Sequence, residues 1–207
     1  ILRGGSGAAS PALFIFAIAG FYLALTSGIP LRLAAIDNDG RNAFSLRNDP
    51  EAMQAFYLQM AINSRQTNGE RLRDMPEGWF TMPEDGAMQN TLVAAVGVYC
   101  CNRLMDEHRF AEADEAMAHL LAGDANLVGL YRALLVCDRL YLELLGESRR
   151  GTPGAALTKP QRRILRQMKN YPSVLRMEYA AALLRDGDAA RAAKLRRRFE
   201  SIAKTYP

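Results

Sequence analysis

The feature that most constrains this chain is an uncharged stretch of 28 residues, Gly4–Leu31, which Arg3 and Arg32 bracket. Its apolar centre is Ala12–Leu25. About 20 mostly apolar residues in helical form are enough to cross the hydrocarbon core of a bilayer, so this stretch is long enough to span a membrane. We therefore expect a transmembrane helix at the start of the chain, followed by a charged domain.

Two other interpretations of this stretch stay open. Arg3 before an apolar run also fits a secretory signal peptide, although no Ala-x-Ala-like cleavage site follows Leu25. A buried core helix would have a similar length, but such helices usually carry a polar face, which this one lacks. The chain begins at Ile1 instead of Met, so we expect it to be a fragment of a longer protein.

Charge and cysteine content predict which side of the membrane the domain faces. Three arginines at positions 32, 41 and 47 follow the stretch, against the single Arg3 before it, and this bias favours a cytoplasmic domain. Cys100, Cys101 and Cys137 are an odd number, and adjacent cysteines in one helix are poorly placed to pair. Reduced thiols fit the cytosol. We expect a cell-membrane protein whose helical domain is cytoplasmic.

The charge balance divides the remaining chain in two. Residues 33–146 carry 9 basic and 17 acidic side chains, whereas residues 147–207 carry 15 basic and 5 acidic ones. The basic part suits anionic lipid headgroups, an acidic partner or nucleic acid, or it is a solvated set of helix faces. Its densest run is Lys194–Arg198. Few aromatic residues are interleaved with these cations, which disfavours nucleic acid.

Hydrophobic periodicity predicts helices along most of the chain and no sheet, so the expected fold class is all-α. Asp49 followed by Pro50 is a strong helix start, and Thr158 with Gln161 forms a capping box. Asp124 and Asp188 are also predicted to cap helices.

These signals divide the chain into three parts. Residues 1–31 form the transmembrane helix and its flank. Residues 32–87 form a connecting segment with one helix, at about 50–65, and a loop rich in Pro and Gly whose Trp79-Phe80 pair is expected to pin it to the domain. Residues 88–207 form a cytosolic domain of helical hairpins.

Two of the predicted hairpins are alike. Arg109–Ala113 and Gly187–Ala192 both place small residues where the second helix of a tetratricopeptide repeat approaches its partner. Ala113 and Ala192 are 79 residues apart, which is no multiple of the repeat length of about 34, so we expect an irregular tetratricopeptide-like array. Such arrays present a concave groove that binds peptides or partner helices.

No catalytic, cofactor-binding or metal-binding residue is predicted in this chain. His108 and His119 do not form His-Glu-x-x-His, so we expect a surface turn and a helix face for them. Cys100 and Cys101 lack the Cys-x-x-Cys spacing, which favours core packing over a metal or redox pair. Asp37–Asn42 starts like a calcium loop but has no closing Glu, so we expect a turn.

Four stretches resemble a known family: Ser27–Leu31, Ile36–Gly40 with Asn42-Ala43, Cys101–Phe110 and Lys169–Arg176. They resemble the C-terminal region of site-2-protease-like membrane zinc metallopeptidases from clostridial-type bacteria. The resemblance implies a last membrane helix and a soluble helical tail, attached to an upstream catalytic half whose zinc-activated water hydrolyses membrane-associated proteins. The family's His-Glu-x-x-His and Leu-Asp-Gly motifs have no match here, so no catalytic or zinc-binding residue is carried over.

Two functions follow as expectations. The first is the non-catalytic membrane anchor and cytosolic tail of such a peptidase, with the membrane and the upstream, zinc-bearing catalytic portion as its partners. The alternative is a stand-alone membrane-tethered adaptor that binds a partner protein or peptide in its groove. Enzymatic activity stays open, because it would belong to the upstream portion.

Overall fold

The computed structural model describes residues 9–29, 40, 43–44, 46–47, 49–146 and 158–204. These residues form eight α-helices and no strand, which confirms the all-α fold class for the described part of the chain. The helices are α1 (Ala9–Gly28), α2 (Pro50–Thr67), α3 (Thr91–Asp106), α4 (Phe110–Ala122), α5 (Gly129–Leu144), α6 (Lys159–Gln167), α7 (Pro172–Ala180) and α8 (Ala189–Ala203). Three 3₁₀ turns precede α3, at Leu72–Asp74, Glu77–Phe80 and Ala87–Gln89, and a π-helical turn, Ala181–Arg185, extends α7.

Helix α1 has the length and composition of a membrane span. It has 20 residues, and none of Pro11–Gly28 is buried against the rest of the described chain. The hydroxyl of Thr26 is satisfied within the helix, because it donates to the carbonyl oxygen of Tyr22 at 2.9 Å. A core helix has to be covered by other elements, so this exposure counts against the buried-helix interpretation. The spanning helix and the signal peptide both stay open.

The capping chemistry predicted from the sequence is confirmed at three helix starts. The Asp49 carboxylate accepts a hydrogen bond from the Ala52 N–H at 2.9 Å, and Thr158 with Gln161 forms a capping box at α6. Asp188 caps α8 in the same way as Asp49 caps α2. Each side chain satisfies an N–H group that the first helical turn leaves without a partner, so near neighbours in sequence fix these starts.

The prediction that Asp124 caps α5 is wrong. The helix begins at Gly129, and residues 124–128 have no helical structure. The backbone N–H of Asn126 donates to the carbonyl oxygen of Met88 at 2.9 Å, and its side chain donates to the following carbonyl at 3.0 Å. These bonds tie the segment to the start of α3, and they outweigh the capping propensity of the aspartate.

The main core is built around α3, which packs against α2, α4, α5 and the 3₁₀ turns. Gly97 on α3 allows α4 to approach closely, because a Cβ at this position would lie 3.0 Å from a methyl carbon of Leu120. Ala113 on α4, predicted to lie at a close helix contact, is fully buried. Small residues therefore set the spacing of this helix pair.

The segment rich in Pro and Gly is held against the same core by its aromatic pair. The guanidinium of Arg65 lies 4.7 Å from the ring centroid of Trp79, and that of Arg103 lies 4.8 Å from the ring centroid of Phe80. Arg103 also donates to the carbonyl oxygen of Met75 at 2.8 Å. These contacts confirm the anchoring role predicted for the two aromatic residues.

The second half of the domain is organised around α5, which packs against α4, α6 and α7, while α7 packs against α8. Helix α5 packs extensively against α7 and contacts α3 at only a few residues, so α3, α5 and α7 form a row in that order. The tetratricopeptide-like form of this array stays a prediction. The turn expected at Asp37–Asn42 and the loop expected at 146–157 fall largely outside the described residues.

Candidate partner-binding cleft

The two histidines lie in a turn and on a helix, as expected. His108 is exposed between α3 and α4 and has a φ of 59°, in the left-handed region. His119 lies on α4, and its Nε2 is 2.8 Å from Oδ1 of Asp85. No group of three or more His, Cys, Asp or Glu side chains among the described residues is placed to hold a metal ion. That the chain has no catalytic, cofactor-binding or metal residue stays a prediction.

The three cysteines are free and buried, which agrees with the core-packing interpretation. Burial raises the pKa of the Cys100 thiol to about 12 and also raises the pKa of the Cys101 and Cys137 thiols. A thiol with so high a pKa is almost wholly protonated at neutral pH, and the protonated form is a poor nucleophile. Packing, and not thiol chemistry, accounts for these residues.

We expect the folded chain to react with no thiol reagent near pH 8 and to take up reagent at all 3 cysteines once it is unfolded in urea. Titration with an aromatic disulfide, followed by absorbance, measures both numbers. Uptake at even one cysteine in the folded chain would contradict the buried placement.

A cavity of about 930 Å³, here named the polar cleft, opens between the C-terminal ends of α2 and α3 and the N-terminal end of α7. Several amide and hydroxyl side chains line it: Asn63, Gln66, Thr67, Asn102, Tyr171 and Ser173. Amide and hydroxyl groups both donate and accept hydrogen bonds, as the main chain of a peptide does. Groups of this kind can bond to a peptide main chain, although Asn63 and Thr67 already make hydrogen bonds within the chain.

One wall of the polar cleft is fixed by an ion pair between Arg71 and Asp106. Nε of Arg71 donates to Oδ1 of Asp106 at 3.1 Å, and the backbone N–H of Arg73 donates to its Oδ2 at 3.1 Å. Burial opposes ionisation of Asp106, but these hydrogen bonds outweigh it and hold the pKa of the carboxyl below its usual value. The carboxylate thus stays charged and joins the segment after α2 to the end of α3.

A second ion pair lies deeper in the polar cleft. A terminal nitrogen of Arg176 donates to Oδ1 of Asp138 at 2.8 Å, and the Asp138 side chain is buried. Burial raises the pKa of Asp138, while the positive charge of Arg176 opposes the rise. The Arg176 guanidinium also lies 4.4 Å from the ring centroid of Tyr141, and its buried Nε has no hydrogen-bond partner among the described residues.

A second cavity of about 540 Å³, here named the apolar groove, lies between α5, α7 and α8. Its apolar lining includes Leu145, Leu175, Tyr179, Leu183, Leu184 and Phe199. Leu183 and Leu184, on the π-helical turn, are 43% and 54% exposed, so water covers apolar surface here. Tyr141 and Arg176 line both cavities, which makes the polar cleft and the apolar groove two compartments with a common wall.

The sequence does not predict that Tyr141 and Arg176 form this wall, although it contains a signal for the Asp138 carboxylate that pairs with Arg176. Asp138 lies four residues after Leu134 and three before Tyr141, on a helix face that the sequence marks as apolar. A carboxylate on such a face needs a buried partner, because an unpaired buried charge is very costly. The sequence does not show that Arg176, 38 residues later, is this partner.

Comparison of the chain with protein-family models, with curated proteins and with solved structures finds no match. The chemistry of the two cavities is therefore the basis for a functional proposal. Hydrogen-bonding groups in one compartment and apolar side chains in the next suit a ligand that is itself a main chain with apolar side groups.

Proposed function

We propose that this chain is a membrane-tethered helical module that binds an extended segment of a partner protein. The observation that carries the proposal is the common wall of Arg176 and Tyr141, which places the polar cleft and the apolar groove next to each other. A bound peptide would lay its main chain along the amides of the polar cleft and insert one or two apolar side chains into the apolar groove.

The row formed by α3, α5 and α7 supports this proposal. The polar cleft lies along this row, since residues of all three helices line it. Helical-hairpin arrays commonly bind peptides on the concave surface that such a row forms. In a tetratricopeptide-like array, buried Ala113 and Ala192 would be the small residues of two helix contacts.

The tether is α1, and we place the domain on the cytoplasmic side. The arginines at positions 32, 41 and 47 support this orientation through the positive-inside bias, and the buried free cysteines are compatible with a reducing compartment. The partner segment would then belong to a cytoplasmic protein or to the cytoplasmic part of a membrane protein.

A second candidate is that the module is the tail of a membrane zinc peptidase. It rests on the sequence stretches that resemble that family, of which Cys101–Phe110 covers the end of α3 and the start of α4. In that case the cleft would hold a substrate or a regulator close to an upstream catalytic half. Reading the coding sequence upstream of Ile1 tests this candidate: His-Glu-x-x-His in an apolar helix supports it, and a start codon within a few residues contradicts it.

The peptide-binding proposal predicts which substitutions weaken binding. A library of random peptides would be selected against the full chain in detergent, and the affinity of an enriched peptide would be measured by fluorescence anisotropy. We expect Asn102→Ala in the polar cleft and Leu184→Ala in the apolar groove each to weaken binding about tenfold, which corresponds to about 1.4 kcal/mol.

The matched controls lie on the exposed side of α2, outside both cavities. Gln54→Ala removes an exposed amide and Met53→Ala removes an exposed apolar side chain, and neither is expected to change the affinity. Equal affinity of the cleft variants and the wild-type chain would place the peptide elsewhere. Failure of the selection to enrich any peptide would contradict the proposed function itself.

A further inference from the structure

The last three helices carry far more positive than negative charge. Residues 158–204 contain 13 basic and 4 acidic side chains. Local partners occupy three of the four acids: Asp186 pairs with Arg185 at 2.8 Å, Glu200 pairs with Arg196 at 2.8 Å, and Asp188 caps α8. Arg176 and Arg191 also pair with aspartates, and the other cations of this region form no ion pair with any residue that the structure describes.

Helix α6 presents these cations on its exposed side. Lys159, Arg162, Arg163 and Arg166 follow the i, i+3, i+4, i+7 spacing of one helix face, and all four are exposed. Leu165 points the other way, into the cluster that α6 forms with α5 and α7. The cationic face of α6 is therefore turned away from the core.

Helix α8 adds to the same surface. Lys194 and Arg197 are exposed, while Leu195 is buried against α7. The side chain of Arg198 donates to Oδ1 of Asn170, which lies just after the end of α6. This contact places Arg198 beside the residue that follows Lys169, so the cations of α6 and α8 meet in one patch at this point.

We propose that this patch docks the domain onto the anionic headgroups of the bilayer that α1 spans. The patch, here named the basic surface, consists of Lys159, Arg162, Arg163, Arg166, Lys169, Lys194 and Arg197. The proposal rests on the membrane anchor and on the cytoplasmic orientation of the proposed function, because the cytoplasmic leaflet is the anionic one.

The length of the tether supports lipid as the occupant. Residues 29–49 separate α1 from α2, and even fully extended they reach only about 70 Å. The tether consequently keeps the basic surface at a high effective concentration near the bilayer, so docking is an intramolecular step. Nucleic acid is disfavoured, because few aromatic rings accompany these cations; the exposed Tyr171 next to Lys169 is one on which a base could stack.

The test uses the full chain reconstituted through α1 into vesicles. Ala193 is exposed on α8, and Ala193→Cys can be labelled selectively because the native cysteines are buried. Energy transfer from a donor at this position to an acceptor lipid reports how close the basic surface lies to the bilayer. We expect more transfer with about 30 mol% phosphatidylserine than with phosphatidylcholine alone, and loss of the difference at about 0.5 M salt.

Charge variants test the residues. Each cation near an anionic surface strengthens binding about fivefold, so Arg162→Gln with Arg166→Gln should weaken docking about 25-fold. Arg73→Gln with Arg185→Gln removes the same amount of positive charge outside the basic surface, and it should leave the lipid-dependent energy transfer unchanged. Equal energy transfer in both lipids would overturn the proposal. The proposal would also be overturned if the basic surface did not approach either lipid and the chain instead formed a stable complex with added RNA.

Vesicle flotation distinguishes this proposal from the proposed anchor. A chain that floats with phosphatidylcholine but shows no lipid-dependent energy transfer has an anchor and no docking surface. If the chain floats only with phosphatidylserine vesicles, the basic surface is supported and the anchor is contradicted. A chain that floats with neither contradicts both.

Discussion

Replacement of Arg176 by alanine is expected to lower the free energy of unfolding by about 3 kcal/mol and to abolish peptide binding. The guanidinium is the partner of the buried Asp138 carboxylate, and removing one member of a buried ion pair leaves the other charge uncompensated. The expected cost lies at the lower end of the usual range of about 3–5 kcal/mol, because the Arg176 side chain is 33% exposed. Urea unfolding in detergent, followed by circular dichroism, measures it.

The double variant Arg176→Met with Asp138→Leu separates stability from recognition. Replacing a buried ion pair by apolar side chains of similar size is often neutral or stabilising, so we expect the free energy of unfolding to return to within about 1 kcal/mol of wild type. Peptide binding should not return, because the common wall of the two cavities has lost its charge. Restored binding would contradict a role for Arg176 in recognition, and an unchanged stability of Arg176→Ala would contradict the buried pair.

The Arg176→Ala variant should also regain stability relative to wild type as the pH falls. Burial raises the pKa of Asp138 in the folded chain, and without Arg176 nothing comparable opposes that rise. The folded chain then holds the Asp138 proton more tightly than the unfolded chain, in which an Asp has a pKa of about 3.9. The extra stability is present near pH 4 and is lost as the pH rises through the folded pKa. Unfolding curves at about pH 4.5 and pH 7 test this, and a deficit that grows at the lower pH would contradict it.

The sequence predicts those parts of the fold that depend on near neighbours. Asp49 and Thr158 each accept a hydrogen bond from a backbone N–H three residues further on. All the residues that decide the helix start therefore lie within one short stretch of sequence. The packing of Trp79 and Phe80 against the domain is predictable for a related reason. Large aromatic side chains in a segment of Pro and Gly tend to be buried against a neighbouring element. Asp124 shows the limit, because the hydrogen bond from the Asn126 N–H to the carbonyl oxygen of Met88 holds the residues after Asp124 out of a helix.

The cavities are not predictable in this way. Asn63 and Asn102 line the same cleft but belong to two helices, and only the packing of α2 against α3 brings them together. The Asp138–Arg176 pair joins α5 to α7, and nothing in the sequence indicates that residues 38 positions apart are partners. The apolar groove likewise depends on the π-helical turn after α7, which places Leu183 and Leu184 beside Phe199 of α8. Which side chains meet in a cavity is decided by how the helices pack, and the residue pattern within a single helix does not predict that packing.

Replacement of Ile18 by arginine is expected to disrupt membrane insertion. Ile18 lies near the middle of α1 and is 54% exposed, so in a bilayer its side chain would face lipid. An arginine at the centre of a spanning helix raises the free energy of insertion by roughly 2.5–3.5 kcal/mol, enough to move most of the chain out of the membrane fraction when insertion is otherwise marginal. Extraction of membranes with alkaline carbonate measures the inserted fraction.

Met53→Arg is the matched control for this experiment. Met53 is 47% exposed on α2, so it tests whether an added arginine on an exposed apolar position is enough to change fractionation. A spanning α1 predicts that only Ile18→Arg reduces the inserted fraction. An unchanged fraction in both variants would mean that α1 does not span the bilayer. The chain would then need another route to the membrane, and the basic surface of α6 and α8 is the surface on which to look for it.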